Sequence, residues 1–490
     1  MRKAIAILLV LVMLCSACII AAHAAVNTQR DQVVISENVI YGNRMAADGL
    51  NIVRRADWDE RLHWTTDYNI GSENKYDTEF KFTQSREYER YSGRPDAGGI
   101  TFSRNVGGGM SSSHEITREK LSDIFSGFED ICLAVMERAP AGMEYRETLK
   151  LKDYYEFHPL NINVHLPELY YVHRYSDDPV REYVRPMEGD YCSEINEALS
   201  SFFKIPVTEN DMAEINVYKE ASGIVTEVDL NTYVFLEDEY SGGDFWVNSV
   251  VIQEKGAYMV FDCGDDIDFS NIPGGCGIYC MPFGASFEFD GSTYPTVDYE
   301  GLSMVYPLDK NTKIESFFYD EQQDRLVLIT VENGGYVFTS INPDTMETVQ
   351  SFDITACEDG DVYDVCQYED FIVLYLSVEK FAVINNCGNG NYELDYVVDR
   401  CPENDEELFW YNSSSVMAYD GERLAVAWDR EREEPPYADC GFYIAIYDKT
   451  GLLYFGDYES GLMTGRYNGS YGYYCAPASG ANLELKWQLA

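Results

Sequence analysis

Basic residues are scarce in this chain of 490 residues. Lys and Arg total 36 against 84 Asp and Glu, which gives a formal net charge of −48. Nucleic-acid phosphates and anionic lipid headgroups are bound through clustered Lys and Arg. The composition therefore excludes a nucleic-acid partner. It leaves the N-terminal segment described below as the one part expected to meet a membrane.

Histidine is also scarce, with six in the chain and none after His173. A Ser-His or Cys-His catalytic pair built wholly from the C-terminal half is thereby excluded. The G-x-S-x-G, Walker A, H-E-x-x-H and G-x-G-x-x-G motifs are absent, so no catalytic or cofactor-binding residue is predicted. His158, His165 and His173 are spaced by 7 and 8 residues, which does not force them together. Solvated or core-edge histidines are favoured there, and the metal question stays open.

No long apolar run follows the N-terminal segment. Residues 1–24 begin with Arg2 and Lys3, continue without charge to Ala22, and end in the small-x-small pattern Ala22-His23-Ala24. This order predicts a signal peptide or an uncleaved N-terminal anchor. A lipoprotein site at Cys18 is disfavoured because Cys15 lies where an aliphatic residue is required. Either remaining alternative predicts an extracytoplasmic protein, secreted or tethered.

Eleven cysteines follow this segment, and an exported protein is expected to oxidise most of them to disulfides, leaving at least one thiol. Cys276 and Cys280 have three residues between them, which is not zinc or redox spacing. The full set is Cys132, Cys192, Cys263, Cys276, Cys280, Cys357, Cys366, Cys387, Cys401, Cys440 and Cys475.

The first part after the signal, residues 25–85, is predicted to be a β module and is a candidate first blade. Alternating polar and apolar residues indicate strands at residues 32–42, 50–58, 61–70 and 77–85. Residues 86–206 are predicted to form a linker with an α+β insertion. The polar, Gly-rich residues 86–115 are expected to be loop, and helices are expected at 117–138 and 193–204.

Residues 207–490 are predicted to be repeats of strands and turns. Three segments align on Leu326, Ile372 and Leu424, with offsets of 46 and 52 residues, and a looser copy begins at Gly256. This period fits a propeller blade, since stacked four-stranded sheets cover each other's faces. The predicted fold class is mainly β, with β-propeller-like blades and a small helical insertion. A β-sandwich or two stacked β domains remain as alternatives.

Two resemblances accompany these patterns. The turn and strand Asp420-Gly-Glu-Arg-Leu-Ala425 resembles blades of TolB-type and quinoprotein-like propellers, over residues 251–470. The N-terminal half resembles uncharacterised exported or membrane-anchored proteins of anaerobic Gram-positive bacteria, which implies export and no activity. The segments that carry this second resemblance are Tyr41-Gly42, Gly49-Leu50, residues 63–68 and residues 153–156.

Two acidic loops, Asp262–Asp268 and Glu358–Asp364, contain the oxygen ligands that Ca²⁺ prefers. Neither has EF-hand spacing, so solvated turns are favoured and no cofactor is expected beyond a Ca²⁺ alternative. Aromatic turns at residues 240–246 and 467–474 suit contact with a protein or glycan.

These features together predict an exported, envelope-associated binding protein of unknown ligand that is not an enzyme. The alternative from another class is a secreted glycoside hydrolase with paired carboxylates on the propeller. It requires two or three carboxylates from different blades to converge around one open pocket.

Overall fold

The structure is a computed structural model of the whole chain. It describes residues 10–22, 24, 35–58, 62–71, 76–82, 99–103, 107–125, 127–165, 170–174, 182–186, 190–236, 239–241, 247–252, 255–261, 268–289, 292–310, 312–357, 362–376, 380–400, 415–429, 437–438, 441–460, 465–466 and 483–488. Two compact units are present. The first comprises Met1–Arg90, Asp359–Asn386 and Tyr392–Ala490, and the second comprises Tyr91–Glu358 and Cys387–Asn391.

Three antiparallel sheets lie in the first unit. Their orders are β33-β2-β3-β4, β23-β24-β25-β26 and β1-β31-β30-β28-β27. A short pair, β29 (Tyr437–Ala438) with β32 (Gly465–Arg466), accompanies them. The strands are β1 (Ile35–Gly42), β2 (Leu50–Trp58), β3 (Leu62–Asn69), β4 (Tyr76–Phe82), β23 (Val362–Gln367), β24 (Phe371–Leu376), β25 (Lys380–Gly388), β26 (Asn391–Asp399), β27 (Val416–Tyr419), β28 (Leu424–Asp429), β30 (Phe442–Asp448), β31 (Gly451–Ser460) and β33 (Leu483–Trp487).

Strands from opposite ends of the sequence share sheets in this unit. β1 pairs antiparallel with β31, from Ile35 opposite Ser460 to Gly42 opposite Tyr454. β33 pairs antiparallel with β2, with Trp487 opposite Leu50. Each pairing joins segments separated by about four hundred residues, so these sheets form only when distant parts of the chain meet.

Two further sheets of the blade type lie in the second unit. Their orders are β14-β15-β16-β17, with β18 also on β16, and β19-β20-β21-β22. Lys255 Nζ lies 3.1 Å from Asp324 Oδ1 and 3.0 Å from Asp344 Oδ1. These ion pairs join the turn between β14 and β15 to the turns between β19 and β20 and between β21 and β22. The strands are β14 (Val247–Ile252), β15 (Gly256–Phe261), β16 (Gly277–Phe289), β17 (Ser292–Val297), β18 (Ser303–Pro307), β19 (Lys313–Asp320), β20 (Arg325–Glu332), β21 (Gly335–Ile341) and β22 (Thr348–Ala356).

The second unit also contains a five-stranded sheet, β13-β12-β11-β7 with β6 on β12, and two short pairs, β5-β8 and β9-β10. Two helices, α2 and α3, pack on one face of the larger sheet, with Phe125, Phe128 and Val135 fully buried. The elements are β5 (Gly99–Ser103), β6 (Gly107–Ser111), α2 (Arg118–Ile124), α3 (Glu129–Arg138), β7 (Met143–Lys150), β8 (Asn161–His165), β9 (Tyr170–Arg174), β10 (Glu182–Pro186), α4 (Asp190–Phe202), β11 (Asp211–Lys219), β12 (Val225–Leu236) and β13 (Glu239–Ser241).

Two interior strands of the blade-type sheets, β15 and β24, are apolar along their whole length. Every residue of β15 and of β24 is buried, as expected for a strand covered on both faces. β11 instead alternates, with Ala213, Ile215 and Val217 buried and the residues between them partly or fully exposed. The predicted class is confirmed: the chain is mainly β, with blade-like four-stranded antiparallel sheets and few, short helices.

Two local predictions are wrong. Residues 86–115, expected to be loop, contain β5 and β6, and β6 is held by backbone pairing to β12. The helix expected over 117–138 is two helices, because the chain turns between Phe125 and Phe128. Gly127 there has φ +85°, a left-handed conformation that interrupts a helix and favours glycine.

At the N-terminus, residues 10–22 form helix α1. Its apolar side chains are exposed, from 50% at Val10 to 69% at Ile19. Within the described ranges, no helix is both long and apolar enough to span a membrane. The choice between signal peptide and anchor stays a prediction.

Candidate functional site: an open sheet face

The described parts of the two acidic loops carry structural roles. Asp268 Oδ1 accepts a 2.9 Å hydrogen bond from Ser270 N and caps a short 3-10 turn, which lowers the pKa of Asp268. Asp364 lies in β23, where burial raises its pKa. Residues 262–267 and 358–361 lie outside the described residues. Within the described ranges no three His, Cys, Asp or Glu side chains are grouped as a metal site would need, so the Ca²⁺ alternative stays a prediction.

His158 is the one member of the cluster His158, His165 and His173 whose side chain the structure describes. The side chain of His158 is 2% exposed, and its Nε2 lies 3.2 Å from Asp211 Oδ2. Asp211 also accepts hydrogen bonds from Thr208 N and Oγ1. Burial alone would raise the pKa of Asp211, but the bonds from His158 and Thr208 outweigh it and hold the pKa below its usual value. His158 is thus a core histidine; His165 and His173 lie in β8 and β9, with side chains outside the described set.

Glu37 is held in a network that joins the two strands of the chain-end pairing. Tyr454 Oη donates a 2.8 Å bond to Glu37 Oε1, and Arg44 Nε donates a 2.8 Å bond to Glu37 Oε2. The hydroxyls of Tyr454 and Tyr458 lie 2.7 Å apart. Burial and the Glu37 charge raise the pKa of Tyr454 well above its usual range. This carboxylate therefore links β1 to β31 and to the turn that carries Arg44.

Three described cysteines are buried or half-buried thiols. Burial raises the pKa of Cys132 to about 12, of Cys280 to about 11 and of Cys366 to about 12. Thiols with such pKa values are poor nucleophiles at neutral pH. Cys276 is disulfide-bonded. The wider disulfide framework stays a prediction, since Cys263, Cys401, Cys440 and Cys475 lie outside the described residues.

The five-stranded sheet of the second unit has one face packed on α2 and α3 and one face towards solvent. The solvent side, called the open face below, consists of four rows of paired residues across β7, β11, β12 and β6. The rows are Glu144-Tyr218-Glu227-Ser111, Arg146-Asn216-Asp229-Gly109, Thr148-Glu214-Asn231-Gly107 and Lys150-Met212-Tyr233.

Polar groups dominate the centre of the open face. Arg146 Nη2 donates to Glu214 Oε2, joining two of the rows. Tyr218 presents a ring that is 41% exposed at one end. At the β6 edge, a Cβ on Gly109 would collide with Asp229 Oδ1, so glycine lets the Asp229 side chain lie across β6. The centre of the face is thus an array of carboxylates, amides and one guanidinium.

The opposite side of the sheet makes the open face rigid. Ile215, Val217 and Leu230 are fully buried against the helices, and the Lys219 ammonium donates to Met136 O at the end of α3. A rigid backing lets a surface bind without the entropy cost of ordering itself. The alternation in β11 was visible in the sequence, but the face it builds also needs β6 and β7, which lie about seventy to a hundred residues earlier.

Most residues of the two aromatic turns predicted as contact surfaces lie outside the described residues. Tyr240 lies in β13 with its side chain outside the described set, and residues 242–246 and 467–474 are outside it altogether. Their role stays a prediction.

Comparisons with known proteins give no family. No family model matches the chain, and no curated protein matches it. Among solved structures, a protein from Lactobacillus plantarum is 11% identical with a TM-score of 0.23, covering 50% of this chain and 63% of that one. The Cps50 (Swd1) β-propeller domain of Myceliophteria thermophila is 10% identical with a TM-score of 0.22, covering 52% and 84%. Hsv2 of Kluyvelomyces marxianus is 7% identical with a TM-score of 0.17, covering 43% and 60%. Likeness this low adds no argument to the fold described above.

Proposed function

We propose that this protein is an exported, non-catalytic binding protein of the cell envelope that takes a protein partner on its open face. The observation that supports it is a rigid, solvent-facing sheet surface with a charged and amide-rich centre. A small substrate is bound in a concave, mostly apolar site, whereas a flat face of mixed polarity suits another protein surface.

The size of the open face sets an expectation for affinity. Four strands about 4.8 Å apart and six residue steps of about 3.4 Å give an area of roughly 400 Å². A standard protein interface buries about 800 Å² on each partner. The open face supplies about half of that, so we expect a transient interaction unless flanking loops contribute.

The glycoside hydrolase alternative lacks support. A glycosidase acid needs a raised pKa and a second carboxylate about 5–10 Å away. Asp364 has a raised pKa, but burial is its cause, and its Oδ1 accepts a 2.8 Å bond from Val365 N. Half-buried Glu37 forms an ion pair with Arg44, and buried Asp211 lies against His158. Turnover of aryl glycosides by the purified full chain would reinstate this alternative.

Site-specific photocrosslinking tests the proposed contact. A benzoylphenylalanine at Asn231, on the open face, is compared in producing cells with the same group at Val349, which is 41% exposed on β22. We expect a discrete adduct from position 231 and none of that mass from position 349. Asn216→Arg, which adds a long cation to the centre of the face, should abolish the adduct while the melting temperature is retained. Identical adducts from both positions, or none from position 231, would contradict the proposal.

A further inference from the structure

The outer edge of the sheet β1-β31-β30-β28-β27 is a second exposed surface, in the first unit. Within the described residues, β1 pairs with β31 alone, so its other edge presents main-chain N–H and C=O groups without a strand partner. Val39, Ile40 and Tyr41 in this strand are 44%, 39% and 47% exposed. Three consecutive exposed apolar residues on an edge strand are unusual for a soluble surface.

The usual protections of an edge strand are weak here. From Asn38 to Gly42 the strand has no charge and no proline, although the chain carries 84 acidic residues. A register shift between Val39 and Tyr41 marks a bulge, which bends the edge but leaves the apolar side chains outward. An edge of this composition pairs readily with an added strand.

The edge is also held in place from behind. Glu37, at its start, receives the bonds from Tyr454 and Arg44 described above. At its end, Asn43 N donates a 3.1 Å bond to Leu453 O. A strand fixed at both ends does not have to be ordered on binding, which favours addition of a further strand.

Charge decides between two kinds of occupant. A second copy of the chain would bring one net charge of −48 against another, and this repulsion opposes pairing of β1 with itself. In β31, the acidic residue Asp457 lies opposite Asn38 of the neutral edge. A strand with lysine or arginine at alternate positions would meet attraction both at long range and beside the edge.

We propose that β1 is a docking edge for an extended, cationic segment of another protein, which adds to the sheet as a further strand. The apolar side chains of the incoming strand would cover Val39 and Tyr41, and its cations would be attracted by Asp457 and by the net charge of −48. This inference gives a partner class to the binding role but uses a different unit and surface from the open face. Either can therefore fail without the other.

The test uses the full chain and a labelled eight-residue peptide that alternates lysine and valine, followed by fluorescence anisotropy. We expect saturable binding that weakens as salt is raised, with slowed amide hydrogen exchange at residues 38–42. Val39→Lys places a cation on the edge and should weaken binding at least tenfold. Val349→Lys, at a similarly exposed valine on a strand of another sheet, should leave binding unchanged.

Three outcomes would overturn the inference. Equal loss in both variants would show general attraction to an acidic protein. Binding without exchange protection at residues 38–42 would place the peptide elsewhere. A dimer in sedimentation that Val39→Lys dissociates would show that the occupant is a second copy. The Val39→Lys variant should still form the photocrosslinked adduct from position 231, because that position lies on the open face. The two proposals can therefore be tested separately.

Discussion

Arg423 is the residue whose removal should most weaken the pairing of the chain ends. Its Nη1 donates a 2.7 Å bond to Ala46 O in the turn after β1, and its Nε donates a 2.9 Å bond to Asp420 Oδ2. The guanidinium carbon lies 4.0 Å from the ring centre of Trp487 in β33. One side chain thus contacts segments from the start, the late repeat and the end of the sequence. We predict that Arg423→Ala selectively destabilises the first unit.

The expected loss in the free energy of unfolding can be calculated from these contacts. The charged bond to the Ala46 carbonyl contributes about 1.5–3 kcal/mol. The cation–π contact with Trp487, which is 6% exposed, contributes about 1 kcal/mol. The Asp420 pair is partly exposed and contributes at most about 1 kcal/mol. We therefore expect the free energy of unfolding to fall by about 3 kcal/mol.

Urea unfolding followed by tryptophan fluorescence measures this loss, because five of the six tryptophans fall in the residue ranges of the first unit. Arg55→Ala is the matched control. Arg55 Nη2 forms a 2.6 Å pair with Glu484 between β2 and β33, but both side chains are 40% or more exposed. That pair should contribute less than about 1 kcal/mol. An Arg423→Ala loss no larger than that of Arg55→Ala would refute the reasoning.

Three further predictions concern Asp211, the buried thiols of Cys132 and Cys280, and the turn at Gly127. The hydrogen bonds to Asp211 hold its folded-state pKa below the usual value of an aspartate, so the stability that it contributes is present at higher pH and is lost as the pH falls through the lowered pKa. Asp211→Asn should remove this acid-dependent part from unfolding curves measured between pH 6 and pH 2. Cys132 and Cys280 should resist iodoacetamide in the native protein at pH 8 and react after denaturation, and rapid native alkylation detected by mass spectrometry would be inconsistent with their raised pKa values. Gly127→Ala should destabilise the second unit by about 1–3 kcal/mol in thermal unfolding, since its φ is +85° and a Cβ would lie 2.7 Å from Pro159 Cβ, and an unchanged melting temperature would argue against the strain.

Strands with their own hydrophobic pattern were predictable from the sequence. β2 has the predicted bounds, and β3 begins and ends within a residue of them, since alternation fixes which residues face the core. Leu326, Ile372 and Leu424, used to align the repeats, all lie in the second strand of a four- or five-stranded sheet. The repeat signal therefore comes from a mostly buried interior strand of each sheet.

Elements fixed by distant pairing were not predictable in the same way. β6 has three glycines and no apolar period, and only its bonds to β12 make it a strand. The first strands of the repeats, such as β23 with Asp364 and Gln367, are more polar, and the alignment of the repeats does not include them. In the helix expected over 117–138 the apolar spacing continues across Gly127, so periodicity could not show the break.

Little of the candidate site could be predicted from the sequence. The residues singled out for chemistry, His158 and Asp268, have structural roles: the buried side chain of His158 lies against Asp211, and Asp268 caps a turn. The motif at residues 420–425, which resembles propeller blades, also has a structural role. Asp420 Oδ1 accepts bonds from Glu422 N and Arg423 N and closes the turn, and Arg423 then reaches Trp487. The open face depends on how four strands are aligned with one another, and a local sequence pattern does not show this alignment.

Covalent footprinting of lysines in intact producing cells tests the binding role most directly. Lys150 lies at one end of the open face with its side chain 52% exposed, and Lys449 is exposed in a turn of the first unit. If a protein partner covers the open face, acylation of Lys150 should fall several-fold in cells relative to the purified full chain, while Lys449 is labelled equally in both. Equal labelling of Lys150 in cells and in the purified protein would contradict the proposed function.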